Sequence, residues 1–191
     1  TGLIQREGTI MRATGIVRRI DELGRVVIPK EIRRTQRIRQ GDALEIFTEA
    51  DGKVIFRKYS QMAELNELAG VYAEVLAKQL SAPVMVCDRD TVVAVSGGTR
   101  GELLGKHITP ELEKLLAARG VYTAPRDPDR RVAAVSGVES RMLGCAAPIV
   151  VGGDIEGGVC LLGNAKADPP DETQTGAMRI AAAFLARWME E

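Results

Sequence analysis

One stretch of the sequence decides the fold of the first part of the chain: TGIVRRIDELGRVVIPKEIRRT, residues 14–35. The β-branched segment 13–20 is typical of a strand, and the glycine-containing segment 21–25 is typical of a turn. The apolar segment 26–28 predicts a second strand, ended by a proline that cannot donate to a β-ladder. A short helix is expected directly after that proline, from Lys30 to Arg37.

A β-hairpin is predicted next. The apolar segments 43–48 and 54–59 flank residues 49–53, which contain the Asp-Gly pair favoured at tight turns. The first part is therefore a mostly-β module in the order β-β-α-β-β. A module this small buries only about 60% of its surface and leaves open strand edges. We expect two chains to pair their strands.

Charge divides the chain into two parts. Residues 11–60 hold 12 Lys and Arg against 7 Asp and Glu, whereas residues 61–191 hold 13 against 18, giving net charges of +5 and −5. Eight basic residues of the first part fall between Arg18 and Arg39. This concentration predicts that the first part alone contacts a polyanion.

The second part, 61–191, shows the pattern of an α+β domain. Apolar residues recur at helical spacing at both of its ends, and short apolar strands lie between. The predicted elements are a helix 62–80, strands 83–87 and 91–95, a helical stretch 102–119 interrupted near 108–110, a strand 131–135, a hairpin of 143–151 with 155–162, and a helix from about Asp171. A sheet flanked by such helices is an α+β sandwich of the kind used for small-molecule sensing.

The residues that most often carry catalysis or metal binding are sparse. Cys87, Cys145 and Cys160 are widely spaced in apolar or glycine-bearing stretches, and His107 has no partner at ligand spacing. We interpret the cysteines as buried small side chains and His107 as a residue at a helix edge. No hydrolase, nucleotide-binding or metalloprotease motif is found, so neither an enzyme nor a cofactor or metal site is predicted.

Two observations bear on location. No run of 18 apolar residues predicts a membrane span, and residues 1–10 lack a basic start and an apolar stretch. We expect a cytoplasmic protein.

The stretch 14–35 and its continuation through 41–46 to Tyr59 resemble the swapped-hairpin DNA-binding domain of AbrB-type transition-state regulators. With the appended α+β domain, the whole chain resembles the stage V sporulation protein T family of spore-forming Firmicutes. The resemblance implies residues 11–60 as a SpoVT-AbrB domain and 61–191 as a GAF-like domain for effector sensing and/or oligomerisation. Residues 1–10 precede the similar region, are extra and receive no function.

This resemblance implies a sequence-specific transcription regulator, both activator and repressor, of sporulation genes, acting on the nucleoid of the forespore. Its partners are then double-stranded DNA, a second chain in a strand-exchanged homodimer, and a homotetramer formed through the C-terminal domain. Family arginines at the matching positions contact DNA, and this chain keeps all four: Arg18, Arg25, Arg33 and Arg34. Arg19 and Lys30 are further candidates for phosphate contacts. A guanidinium can grip phosphate or read guanine through two hydrogen bonds.

Two alternatives stay open at this stage. The same swapped-hairpin domain occurs in antitoxins, so a toxin-binding interaction protein is the alternative function. The GAF-like domain either binds an unknown effector or has a purely structural role, and five side chains are candidates for lining a pocket: Cys87, Ser96, Arg100, Arg126 and Arg141. The loop 124–131 has the composition of an adjustable lid.

Overall fold

The computed structural model describes residues 3–6, 9–12, 14–59, 66–97 and 100–190, with side chains for 14–59, 66–97 and 101–190. The chain divides into two compact units between Tyr59 and Ser60. None of the helices in these ranges is long and apolar enough to cross a membrane.

The first unit contains two hairpins and one helix. Strands β1 (Leu3–Arg6) and β2 (Thr9–Arg12) pair antiparallel, as do β3 (Leu44–Thr48) and β4 (Val54–Lys58). The second hairpin confirms the prediction from the Asp-Gly turn. Helix α1 (Lys30–Thr35) begins where predicted and ends two residues earlier than predicted.

The two strands predicted around the turn at 21–25 are not strands within this chain. Residues 14–20 and 26–28 belong to no β-ladder, and position 13 lies outside the described residues. β-Branched side chains favour extended backbone, but a ladder also needs a neighbouring strand about 4.8 Å away. Across the turn, the described backbone bonds are Asp21 to the Arg25 carbonyl and Gly24 to the Asp21 carbonyl.

The first unit buries almost nothing by itself. Among residues 14–59, Pro29 alone is buried. Ten large apolar side chains are exposed: Ile16, Val17, Ile20, Leu23, Val26, Val27, Ile46, Val54, Phe56 and Tyr59. Monomeric proteins rarely leave so much apolar surface uncovered, because each such side chain gains free energy on burial.

The second unit is an antiparallel sheet with helices on both faces. Its helices are α2 (Asn66–Leu80), α3 (Arg100–Leu103), α4 (Pro110–Ala117) and α5 (Glu172–Met189), with a 3₁₀ turn at Pro128–Arg130. Its strands are β5 (Val84–Asp88), β6 (Val92–Ser96), β7 (Tyr122–Thr123), β8 (Ala133–Val135), β9 (Val138–Val151) and β10 (Asp154–Gly163). The strand order is β6-β5-β10-β9-β7, and β8 also pairs with β9.

Alternate residues of the central strands face opposite sides of this sheet, as the pleat requires. On one side, Val84 and Val86 pack in a cluster with α2 and α5. On the other side, Met85 packs in a cluster with Leu112 of α4. The predicted interruption of the helical stretch is confirmed, since Thr109 caps α4 and Pro110 is its first residue.

The cysteine prediction is confirmed and the histidine prediction is wrong. Cys87, Cys145 and Cys160 are all buried and free. His107 does not lie at a helix edge: it forms an isolated β-bridge with Thr91 in the connection between the end of α3 at Leu103 and the start of α4 at Pro110.

The apolar stripes of the two long helices are split between two surfaces. Leu65, which begins the apolar pattern of the predicted helix 62–80, lies outside the described residues. The line that α2 buries most deeply is Ala69, Ala73 and Ala77, small residues that let the helix approach the sheet closely. Val75 of α2 and Ile180, Phe184 and Trp188 of α5 also follow the apolar helical spacing of the sequence, but their side chains are exposed.

Candidate nucleic-acid interface

The turn at residues 21–25 holds Arg25 in one orientation. Oδ1 of Asp21 accepts hydrogen bonds from the amides of Leu23 and Arg25 at 3.0 and 2.8 Å. Its Oδ2 accepts a bond of 2.7 Å from Nε of Arg25. Gly24 supplies the positive φ of 76° that closes the turn.

These contacts leave most N–H donors of the Arg25 guanidinium available to bind another group. A guanidinium carries five N–H donors, of which the Asp21 carboxylate takes the one on Nε. The Arg25 side chain remains 71% exposed. The hydrogen bond from the Arg25 amide has the larger effect and the bond from its guanidinium the next, and both hold the pKa of Asp21 below its usual value of 3.8. The carboxylate therefore stays charged at neutral pH and orients the arginine without covering it.

Helix α1 carries the other arginine pair. Arg33 and Arg34 are both exposed in its last turn, and the amide of Arg33 donates to the Pro29 carbonyl at 2.9 Å. The helix stops because Arg37 adopts a positive φ of 52° and the Ile38 amide donates to the Arg33 carbonyl at 2.7 Å.

All six predicted DNA-contact residues are exposed. Arg18 donates to the carbonyl of its own neighbour Val17 at 2.9 Å. Within the described part of the chain, Arg19, Lys30, Arg33 and Arg34 have no carboxylate partner. Because the Val17 carbonyl is neutral, Arg18 also lacks a carboxylate partner among the described residues, so five of the six positive charges are uncompensated there.

The basic residues that follow α1 are engaged differently. Arg57 binds Glu45 at 2.8 Å and lies 4.5 Å from the centre of the Phe47 ring. Lys58 binds Asp42 at 3.2 Å and donates to the Arg37 carbonyl at 3.1 Å. The charges of Arg57 and Lys58 are therefore already paired by contacts within the first unit.

The structure places four of the five pocket candidates of the second unit in different surroundings. Cys87 is buried and donates weakly to the Gly158 carbonyl, and Arg141 pairs with Glu102 at 3.1 Å. Ser96 lines a groove beside α2, Arg126 lines a different cleft, and the Arg100 side chain lies outside the described atoms. The groove and the cleft each hold only one of these candidates.

Sequence reasoning missed the positioning role of Asp21. The signal was present, because aspartate is common at the first position of a turn and a glycine follows three residues later. Its pairing with an arginine four residues away depends on the turn geometry, which the sequence pattern leaves open.

Comparison with known proteins identifies the family. The family model "Stage V sporulation protein T C-terminal, transcription factor" matches residues 64–190. Stage V sporulation protein T of Bacillus subtilis (strain 168) is 46% identical over 182 residues, which cover 95% of this chain and all of the relative. The chain belongs to the stage V sporulation protein T family.

The first unit of this family member is AbrB-like. Transition state regulatory protein AbrB of Bacillus subtilis (strain 168) is 61% identical over 49 residues, covering 26% of this chain and 50% of the relative. The model "Antidote-toxin recognition MazE, bacterial antitoxin" also matches residues 17–63.

The second unit shares its fold with a solved receptor structure. Among solved structures, the cyanobacteriochrome receptor PixJ is similar with a TM-score of 0.53 at 16% identity, covering 69% of this chain and 99% of that chain. At this identity the likeness shows a shared fold alone.

Proposed function

We propose that this chain is a DNA-binding transcription regulator of sporulation genes, acting as activator and repressor, whose first unit grips duplex DNA. The observation that carries the proposal is the set of exposed cations at Arg18, Arg19, Arg25, Lys30, Arg33 and Arg34, most of which have no carboxylate partner. Support also comes from the 61% identity of this region to AbrB. We assign no catalytic step, because the family is one of transcription factors.

The proposal gives these side chains two roles. Arg25, held by Asp21, presents a fixed guanidinium suited to reading a base edge or gripping one phosphate. Arg33 and Arg34 on α1, with Arg18, Arg19 and Lys30, supply charge for phosphate contacts that set affinity and its salt dependence.

We further propose that the regulator works as a dimer through its first unit. The apolar side chains exposed around residues 14–28 and on one face of the β3–β4 hairpin would be covered by a second copy. Segments 14–20 and 26–28, which lack a ladder in one chain, would find their strand partners in the other.

The second unit is proposed to join two such dimers into a tetramer and to sense an effector. Tyr72 of α2 stacks on Phe184 of α5 with ring centres 5.0 Å apart, and Phe184 contacts Trp188 at 6.3 Å. Val71, Val75 and Ile180 lie exposed on the same two helices. Two copies of this helix pair packed together would bury these side chains as a helical bundle.

The experiment is binding of labelled duplex DNA, followed by fluorescence anisotropy across a salt series. If four arginines of each chain in one dimer meet phosphate, the slope of log K against log salt is about −7. Arg33→Ala removes two contacts per dimer, so the slope should become shallower by about 2. Arg57→Ala, which removes an equal charge from a paired side chain, should leave the slope unchanged.

Two results would contradict different parts of this proposal. No salt-dependent binding to any duplex, with the protein folded, would overturn the regulator proposal. Equal slope changes in Arg33→Ala and Arg57→Ala would show that α1 makes no specific contact with DNA.

A second candidate is an antitoxin-like protein, favoured by the match of residues 17–63 to the MazE antitoxin model. The apolar surface of the first unit would then receive a toxin. Co-purification of a small protein in a fixed ratio to this chain, from cells that carry its neighbouring genes, would favour this candidate over the regulator.

A further inference from the structure

A cleft of about 550 Å³ opens in the second unit between residues 126–131 and 165–170. It lies where the chain leaves β7 and where it runs from β10 to α5. Three cations line it, Arg126, Arg131 and Lys166, against the single carboxylate of Asp168. A concave surface lined mainly by one sign of charge concentrates the electrostatic potential inside it.

Arg131 joins the two walls of this cleft. Its Nε donates to the Pro125 carbonyl at 3.3 Å and its Nη1 to the Asn164 carbonyl at 2.9 Å. Both acceptors are neutral, so the bonds fix the guanidinium without compensating its charge. The side chain is partly buried, where an unpaired charge is more costly than in water.

The other two cations of the cleft are also unpaired. In the described ranges, neither Arg126 nor Lys166 forms an ion pair. An anion that enters the cleft therefore does not have to displace an internal carboxylate from any of the three cations.

The walls are preformed by local hydrogen bonds. The Asp127 side chain accepts from the Asp129 amide at 3.1 Å and caps the 3₁₀ turn. Oδ1 of Asn164 accepts from the Lys166 amide at 2.8 Å. Two prolines, 169 and 170, then lead into the capping box of α5. A site held in this way loses little conformational entropy on binding.

A second polar group near Arg131 lacks a partner. The hydroxyl of Tyr122 is buried and makes no hydrogen bond in the described structure. Burial raises the pKa of Tyr122, and the charge of Arg131 opposes that rise. The Tyr122 hydroxyl thus lacks a hydrogen bond, whereas Arg131 makes two hydrogen bonds to neutral carbonyls and lacks only a carboxylate partner among the described residues.

We propose that this cleft binds a small organic dianion, a doubly charged oxyanion on a short carbon skeleton. Arg131 and Arg126 would grip its oxygens through paired N–H donors, and Lys166 would add a point charge. The cleft volume is within the usual range for small-molecule sites. By contrast, the α3 and α4 side of the sheet is filled by fully buried Met85, Leu103 and Leu112. This inference rests on the sensing role proposed above for the second unit.

The test is isothermal titration calorimetry of the full chain with two dianions, glycerol 3-phosphate and succinate. These probes separate a phosphate monoester from a dicarboxylate, and glycerol and succinamide are their uncharged controls. We expect saturable binding of at least one dianion and none of either control. The double variant Arg126→Gln/Lys166→Gln should weaken that binding at least about tenfold.

Arg130→Gln is the matched control, because Arg130 is exposed in the same 3₁₀ turn but does not line the cleft. It should bind the dianion as the unmodified chain does. An equal loss in Arg130→Gln, or no saturable binding by the unmodified chain up to about 10 mM, would overturn the inference.

Duplex binding by the same samples separates the two proposals. We expect the double variant to bind DNA as the unmodified chain does. A chain that binds DNA but neither dianion contradicts this inference alone. A loss of DNA affinity in the double variant would instead make the cleft part of the DNA surface and overturn the inference.

Discussion

The Nε atom of Arg25 donates a 2.7 Å hydrogen bond to Oδ2 of Asp21, while the amide of the same arginine donates to Oδ1 at 2.8 Å. One carboxylate therefore holds both the backbone and the side chain of Arg25. Such a clamp fixes the direction of the guanidinium before DNA arrives, which lowers the entropy lost on binding. In our proposal this favours specificity more than affinity.

The first prediction concerns Asp21→Asn. Asparagine keeps an oxygen that accepts from the backbone amides, but it removes the negative charge that holds the guanidinium. We expect affinity for a scrambled duplex to stay equal or rise, since a negative charge leaves the DNA-facing surface. The ratio of affinities for a selected duplex over a scrambled duplex should fall at least about fivefold.

Glu22→Gln is its matched control, an equal charge change in the same turn at a residue with no ion pair among the described residues. Anisotropy titrations with both duplexes give the ratio for each variant. An unchanged ratio in Asp21→Asn would show that Arg25 is not oriented by Asp21 when DNA is bound.

The second prediction concerns the ion pair between Asp42 and Lys58. The Asp42 side chain is only 6% exposed, and it accepts from the Arg39 amide at 2.8 Å and from Lys58 at 3.2 Å. Asp42→Asn should destabilise the first unit by about 1–3 kcal/mol at neutral pH, because a charge-assisted bond in a shielded place is lost. Asp51→Asn, which removes a half-exposed partner of Lys53, should have no measurable effect.

The pH dependence of this pair follows from the direction of its pKa shift. Burial raises the pKa of Asp42, but bonds from the Arg39 amide and Lys58 outweigh it, so the pKa lies below the usual 3.8. Its stabilisation is therefore present above the unfolded value and is lost as pH falls through the folded value. Native-state hydrogen exchange of peptides spanning 37–58, at neutral pH and at about pH 3, should show the Asp42→Asn deficit shrinking at the lower pH. A deficit that is equal at both pH values would contradict the role of the charge.

Local sequence signals were sufficient to predict the elements that are specified by adjacent residues, namely the hairpins and the start of one helix. The Asp-Gly turn predicts β3 and β4, and the Gly-Gly-Asp turn predicts β9 and β10, because each hairpin is specified by a few adjacent residues. Thr109 and Pro110 likewise mark the start of α4.

The sequence could not tell which apolar surface meets its own chain. Ile180 and Ala181 both belong to the apolar pattern of α5, yet Ala181 is buried on the sheet and Ile180 is 68% exposed. Periodicity shows that one face of a helix is apolar. It does not show whether that face packs on the sheet of the same chain or on another subunit. The prediction of strands at 14–20 and 26–28 was wrong within one chain for the same reason: an apolar, β-branched segment does not show where its partner strand lies.

The third prediction tests the exposed face of α2 and α5. Ile180→Asp places a charge on α5, which also exposes Phe184 and Trp188, without disturbing the core, because position 180 is itself exposed. We expect the proposed tetramer to dissociate into dimers, since burying an unpaired carboxylate between helices is costly. Sedimentation velocity gives the mass. Ser140→Asp, an exposed position on β9, should leave the tetramer intact. A tetramer that persists in Ile180→Asp would exclude this face as the interface.

The fourth prediction concerns two glycines whose surroundings are opposite. Gly157 lies at the bulge of β10, where an added Cβ would come 2.1 Å from the Cys87 carbonyl oxygen of β5. Because that neighbour is backbone in the middle of the sheet, Gly157→Ala should cost more than about 2 kcal/mol of unfolding free energy. Gly176 lies inside α5 with open space where a Cβ would be added, so Gly176→Ala should add about 0.5–1 kcal/mol through helix propensity. Urea denaturation midpoints of the full chain at one fixed protein concentration provide the comparison. Equal midpoints for Gly157→Ala and the unmodified chain would mean that β5 and β10 can separate at the bulge without loss, contrary to the close approach of the β5 backbone there.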